Sequence, residues 1–209
     1  RLGDLLSDHF TLEMWHETMA QKEGTIQRDT RFPATAAEWV LSGPHFFVSN
    51  PFYKTPRREC TQNSHYDVLD LTELPDDYLP RTNYVPACDA DEYRRRTPKV
   101  PWIEEGETVA KPVTEYFRLV YRAMLPPGNE RTLFGAIYPP SPSHQNGCRS
   151  YIIDQAHISD TVAFAAMSFS IVFDFRIRSS GRTNLHQMLD EFPLIDKWGI
   201  KEKLILRAL

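Results

Sequence analysis

The stretch from Ile158 to Pro193 constrains the fold more than any other part of this chain. Between Thr161 and Ile177, Val162, Phe164, Ala165, Ala166, Met167, Phe169, Ile171, Val172, Phe173 and Phe175 are all apolar. A segment apolar nearly all round predicts a central buried helix with other elements wrapped about it. Arg176 and Arg178 suit the negative end of that helix, and Ser179, Ser180 and Gly181 predict its end. Gly181 reads as a C-cap and Asn184 as the cap of a following helix. Leu185, Met188, Leu189, Phe192 and Pro193 then bring the chain back. Flanking charges exclude a membrane span.

Earlier in the chain, Phe10, Leu12 and Met14 alternate with polar residues, and the glycine-bearing Gln21 to Gly24 turn leads into Thr25 to Arg28. Two such runs predict a hairpin. Ala34 to Leu41 predicts a short helix stopped by Ser42-Gly43-Pro44, and His45 to Val48 a buried strand. Residues 60–112 carry Pro75, Pro80, Pro86, Pro98, Pro101 and Pro112, which predict an ordered irregular crossing anchored by Tyr66, Leu69, Leu71, Leu74, Tyr78 and Tyr84. From Tyr116 to Ala123 the alternation predicts a strand with one apolar face and one face of arginines. Pro126-Pro127-Gly128 turns the chain, and Leu133 to Tyr138 returns as a strand. Pro139 to Gly147 reads as a long exposed loop, Tyr151 to Ile153 as a strand, and Asp196 onward as a closing amphipathic helix. The fold class expected is α+β, with mixed small sheets around a central helix and long proline-rich connections.

A chain of 209 residues, 41% hydrophobic, is long enough for one sizeable domain or two small ones. The pattern suggests an N-terminal segment over 1–112 and an α/β core over 113–209, together one compact unit. A start at Arg1 and a stop at Leu209 inside an amphipathic helix suggest a piece of a larger protein. Cys60, Cys88 and Cys148 stand far apart, which gives neither a disulfide framework nor a zinc site and points to the cytoplasm.

Several enzyme classes find no support. A metal-dependent nuclease needs a carboxylate and a lysine two residues apart, and the chain has no Glu-x-Lys or Asp-x-Lys. There is no Gly-x-Ser-x-Gly, no phosphate-binding loop, and no histidine pair at helical ligand spacing. Asn50-Pro51-Phe52-Tyr53 looks like the loop with which adenine methyltransferases hold a flipped base, but its second proline is Phe52. No Gly-x-Gly announces the S-adenosylmethionine pocket that such a loop works beside. No catalytic or metal-binding residue is expected in this chain.

The net charge of −4 argues against a general nucleic-acid coat but leaves room for one DNA-binding face. Lys54, Arg57 and Arg58 form one basic group. Arg94, Arg95, Arg96 and Lys99 form another, read as a solvated face. Arg118, Arg122 and Arg131 would touch phosphate or pair with Glu115 or Glu130. His144, Gln145, Asn146 and Arg149 offer donors and acceptors suited to base edges. Arg176, Arg178, Ser180, Arg182, Thr183 and Asn184 form the leading recognition candidate, since a glycine lets backbone approach phosphate while Arg182 reaches past it into a groove.

Three segments carry a family resemblance. Phe173-Asp174-Phe175-Arg176-Ile177-Arg178, then Ser180-Gly181-Arg182-Thr183-Asn184-Leu185, then Asp190-Glu191-Phe192-Pro193-Leu194 resemble the target-recognition domains of adenine-specific DNA methyltransferases. The closest likeness is to those of type IIG restriction-modification and DISARM-like phage-defence systems. Asn129 to Pro140 is similar to a second signature of these domains, and Tyr66-Asp67 through Asp76 to Tyr84 to a third. The resemblance implies a target-recognition-domain-like fold and double-stranded DNA as a partner. It implies a separate catalytic methyltransferase domain that uses S-adenosylmethionine, while this chain holds no cofactor itself. Two other readings stay open: a protein-docking module, or the edge of a methyltransferase site at Asn50 to Tyr53.

Overall fold

The computed structural model describes residues 9–47, 50–51, 54–62, 64–153, 158–192 and 198–208. Among them the architecture is mixed α+β. The elements are β1 (His9–Leu12), α1 (Glu17–Lys22), β2 (Ile26–Arg31), β3 (Val40–Leu41), β4 (Phe46–Phe47), β5 (Asn50–Pro51), β6 (Lys54–Pro56), β7 (Tyr66–Val68) and β8 (Thr82–Pro86). There follow α2 (Ala90–Arg96), β9 (Arg118–Arg122), β10 (Gly135–Tyr138), β11 (Ser143–His144), β12 (Cys148–Ile153), α3 (Ile158–Ser168), α4 (Ile171–Ser179) and α5 (Trp198–Ala208).

One antiparallel sheet runs β1-β12-β9-β10 and a second runs β11-β3-β8-β2, with β11 parallel to β3. The pairs β4-β5 and β6-β7 form two small ladders. Both larger sheets mix strands from the two halves of the chain, so residues 1–112 and 113–209 interleave. The expected hairpin at the start does not form: the connection contains α1, and β1 and β2 join different sheets, β1 pairing with β12 and β2 with β8.

β9 shows why the arginine-faced strand is not half exposed. Leu119 and Tyr121 enter a core with Phe164, Phe173, Ile177 and Phe192, while Val120 enters another with Trp39, Leu41 and Phe46. Both faces are therefore covered, and Arg118, on the Val120 side, is fully buried. Its guanidinium donates to the Pro142 carbonyl and to Met14 Sδ at 3.6 Å, and burial pushes its pKa down to about 10. Arg122 donates to Phe46 O and Arg131 to Phe169 O, so these arginines serve backbone carbonyls rather than Glu115 or Glu130. Glu115 pairs instead with Arg94.

The long apolar helix is two helices. α3 and α4 meet at 67° across Phe169-Ser170, where Ser170 Oγ accepts from Phe173 N and restarts the helix. α3 is central, with Ala163, Phe164, Ala165 and Met167 buried. α4 buries Phe173 and Ile177 but leaves Ile171, Val172 and Phe175 open to solvent. No single helix among the described residues is long and apolar enough to cross a membrane. The closing helix is present as α5, with Leu204 against the core and Lys201 paired with Asp160 of α3.

Elsewhere, Ala34 to Leu41 gives only a 3-10 turn at Ala36–Glu38 before β3. The irregular crossing contains α2, whose N-cap Asp89 accepts from Glu92 N. Glu92 pairs with both Arg95 and Arg96, and Arg94 with Glu115, so these arginines are ion-paired on the last turn of a capped helix.

Candidate nucleic-acid interface

The turn after α4 has a fixed backbone and open side chains. Gly181 sits at φ +68°, and a Cβ there would meet nothing within 4 Å. Ser180 Oγ donates to Ile177 O at 2.6 Å and accepts from Arg182 N at 3.2 Å, so its hydroxyl is spent on shaping the turn. Beyond it, Leu125 N donates to Thr183 O and Leu185 N to Ala123 O, each at 2.8 Å. Asn184 pairs with Met124 in an antiparallel bridge and starts no helix; the next turn, Met188–Glu191, begins after Gln187, whose side chain makes no capping bond. The side chains of Ser179, Arg182, Thr183 and Asn184 are exposed.

Arg176 stands beside this turn, 5.6 Å over the Phe192 ring. With Ser179, Ser180, Arg182, Met188 and Glu191, these two residues line an open cleft of about 240 Å³. Arg178 faces the other way. Its guanidinium donates to Thr132 Oγ1 at 3.0 Å and to the Asn129 and Glu130 carbonyls, a bracing role that leaves it little freedom to contact a ligand.

The expected loop at His144 to Arg149 is not exposed. Ser143 N and Gln145 N donate to Trp39 O and Leu41 O of the β3 edge, while Trp15 N donates to His144 O and Asn146 N to Trp15 O. Ser143 to Gln145 are thus held from both sides, and a turn at Asn146-Gly147 leads directly into β12, which explains the burial. His144 bonds Ser150 Oγ and Gln145 O, and burial beside Arg118 pushes its pKa down to about 3. Gln145 Oε1 accepts from Gly147 N, Asn146 Oδ1 accepts from Glu17 N, and Arg149 pairs with Glu13. The polar contacts of these four residues thus lie within the protein, and the Arg149 Nε is buried without a partner.

The third group lies on the β6-β7 ladder. Lys54 is half-buried, Arg57 pairs with the exposed Asp67 at 2.7 Å, and Arg58 is exposed. Asn50 and Pro51 form β5; Phe52 and Tyr53, which an adenine pocket would need, lie outside the described residues.

Ala123 joins two of the three groups. Its N–H donates to Gly147 O at 2.9 Å and its carbonyl accepts from Leu185 N, so one residue after β9 ties the His144 to Arg149 segment to the Ser179 to Asn184 turn. Sequence reading missed Asp174. This acid is buried, and its Oδ1 accepts from Thr132 N and Leu133 N, each at 2.7 Å. A lone acid inside an apolar helix was the signal for it. Arg131 was also missed as a cap: it donates to Phe169 O at 2.8 Å, at the end of α3. No protein-family model matches the chain, and no curated protein matches it.

Proposed function

We propose that this chain is a DNA-binding target-recognition module of an adenine-specific DNA methyltransferase, of a restriction-modification or phage-defence system in the cytoplasm. The observation that carries the reading is the Ser179 to Asn184 turn, whose pinned backbone leaves Arg182, Thr183 and Asn184 in solvent beside Arg176. Guanidinium, hydroxyl and amide groups on a fixed backbone suit a duplex: the first two hold phosphates, and Arg or Asn reads base edges. The module supplies no chemistry. A separate S-adenosylmethionine-dependent domain receives the adenine once it leaves the stack.

Spatial grouping adds support. The segments Asn129 to Leu133 and Phe173 to Arg178, both of which resemble such modules, meet through Asp174 and Arg178. The direct test is fluorescence-anisotropy binding to mixed-sequence duplex DNA at two salt concentrations. Affinity that falls steeply with salt is expected, because phosphate contacts release counterions. Absence of binding at low salt would overturn the reading.

A further inference from the structure

α4 presents an outer face that none of its own core contacts explain. Ile171, Val172 and Phe175 are 75%, 74% and 69% exposed, and Phe169 at the α3-α4 corner is also open. Contiguous exposed apolar side chains of this size mark a contact surface. At 3.6 residues per turn, Ile171, Val172, Phe175, Arg176 and Ser179 share one face, so the apolar half runs directly into the Arg176 and Arg182 cleft.

Charge on this helix is one-sided. Its only carboxylate, Asp174, is turned inward and occupied by Thr132 N and Leu133 N, and the exposed face carries arginine alone. Glu191, across the cleft, is the nearest acid lining it. An exposed apolar helix face continuous with guanidinium and hydroxyl groups has the chemistry with which proteins insert apolar wedges between base steps while holding the adjoining phosphates.

We infer that the exposed Ile171, Val172 and Phe175 face inserts into duplex DNA and kinks it, with Arg176 and Arg182 on the flanking phosphates. The inference rests on the DNA-binding reading and adds deformation to it. Unstacking at the wedge lowers the work of extruding a nearby base, which a methyltransferase needs.

The test uses a short duplex with donor and acceptor dyes at its ends, titrated with this chain. Binding is expected to raise end-to-end energy transfer, as a kink of about 20–90° would. Phe175→Ala and Ile171→Ser, both at exposed positions and so compatible with folding, are expected to bind with unchanged salt dependence while transfer stays at the free-DNA value. Arg182→Ala is expected to bind more weakly yet bend the duplex at saturation. Wild-type binding without bending, or bending that survives Phe175→Ala and Ile171→Ser together, overturns the wedge and leaves DNA binding standing. Self-association of the wild type that Phe175→Ala abolishes assigns the face to a second copy and overturns the wedge as well. Failure to bind any duplex removes the parent reading and the wedge together.

Discussion

Asp174 Oδ1 lies 2.7 Å from the backbone nitrogen of Thr132 and accepts its N–H in a buried site, and the same oxygen accepts from Leu133 N. One carboxylate thereby fastens α4 to the Asn129 to Leu133 loop. Asp174→Ala leaves two buried donors without an acceptor, and the expected loss is about 2–4 kcal/mol by chemical denaturation. Asp174→Asn keeps an acceptor oxygen and is expected to lose less. A loss below about 1 kcal/mol for the alanine variant would show that the loop holds itself.

Arg182 and Arg95 make a matched pair for the DNA reading. Arg182 is exposed beside the Arg176 cleft, whereas Arg95 is paired with Glu92 on α2. Arg182→Ala is expected to weaken duplex binding and lower the salt slope by about 1, and Arg95→Ala to change neither. Equal losses, measured by anisotropy across a salt series, would remove the turn from the interface.

Acid should destabilise the fold through its buried histidines. His144 stays neutral in the folded chain down to about pH 3, and His45, buried against Arg81 O, is shifted the same way. An unfolded chain takes up these protons near pH 6.5, so stability is full above that value and falls as pH drops from about 6.5 toward 3. For His144 the loss is up to about 1.4 kcal/mol per pH unit across that window, and His45 adds to it in the same direction. His144→Asn is expected to flatten the acid limb of a stability-versus-pH curve while lowering stability at neutral pH. An unchanged limb would contradict the burial.

Gly135 allows β10 to cross Tyr121 closely. A Cβ there would lie 2.4 Å from Tyr121 Cδ1, and that ring is fully buried with its hydroxyl bonded to Ser168 Oγ at 2.7 Å. With nowhere for the ring to go, Gly135→Ala is expected to cost about 1–3 kcal/mol in thermal or denaturant unfolding. A neutral result would mean that β10 shifts freely on β9.

Where periodicity was clear, the sequence predicted the elements. β9 and β10 fall inside the alternating or apolar runs of 116–123 and 133–138, β12 begins three residues before the expected run of 151–153, and the α4 end falls at Ser179 as the Ser-Ser-Gly break implies. Face assignment was harder. Nothing local to Arg118 says that a second sheet covers its side of β9, and nothing in the apolar run says which side of α4 stays uncovered. α2 hid among prolines, although Asp89 three residues before Glu92 was a cap signal. The Pro139 to Gly147 segment looked like a loop because Pro139, Pro140, Pro142 and Gly147 dominate it locally. Its strand bonds go to Trp39, Leu41 and Trp15, more than a hundred residues away.

The knot at Ala123 is tied with backbone atoms only, through Gly147 O and Leu185 N. Such bonds are indifferent to the side chains carried on either segment. Arg182, Thr183 and Asn184 can therefore be exchanged for other residues while their Cα positions hold, so one scaffold can present many different surfaces by substitution alone. On the proposed DNA-binding reading, a change of preferred base would need no rebuilding of the fold beneath it.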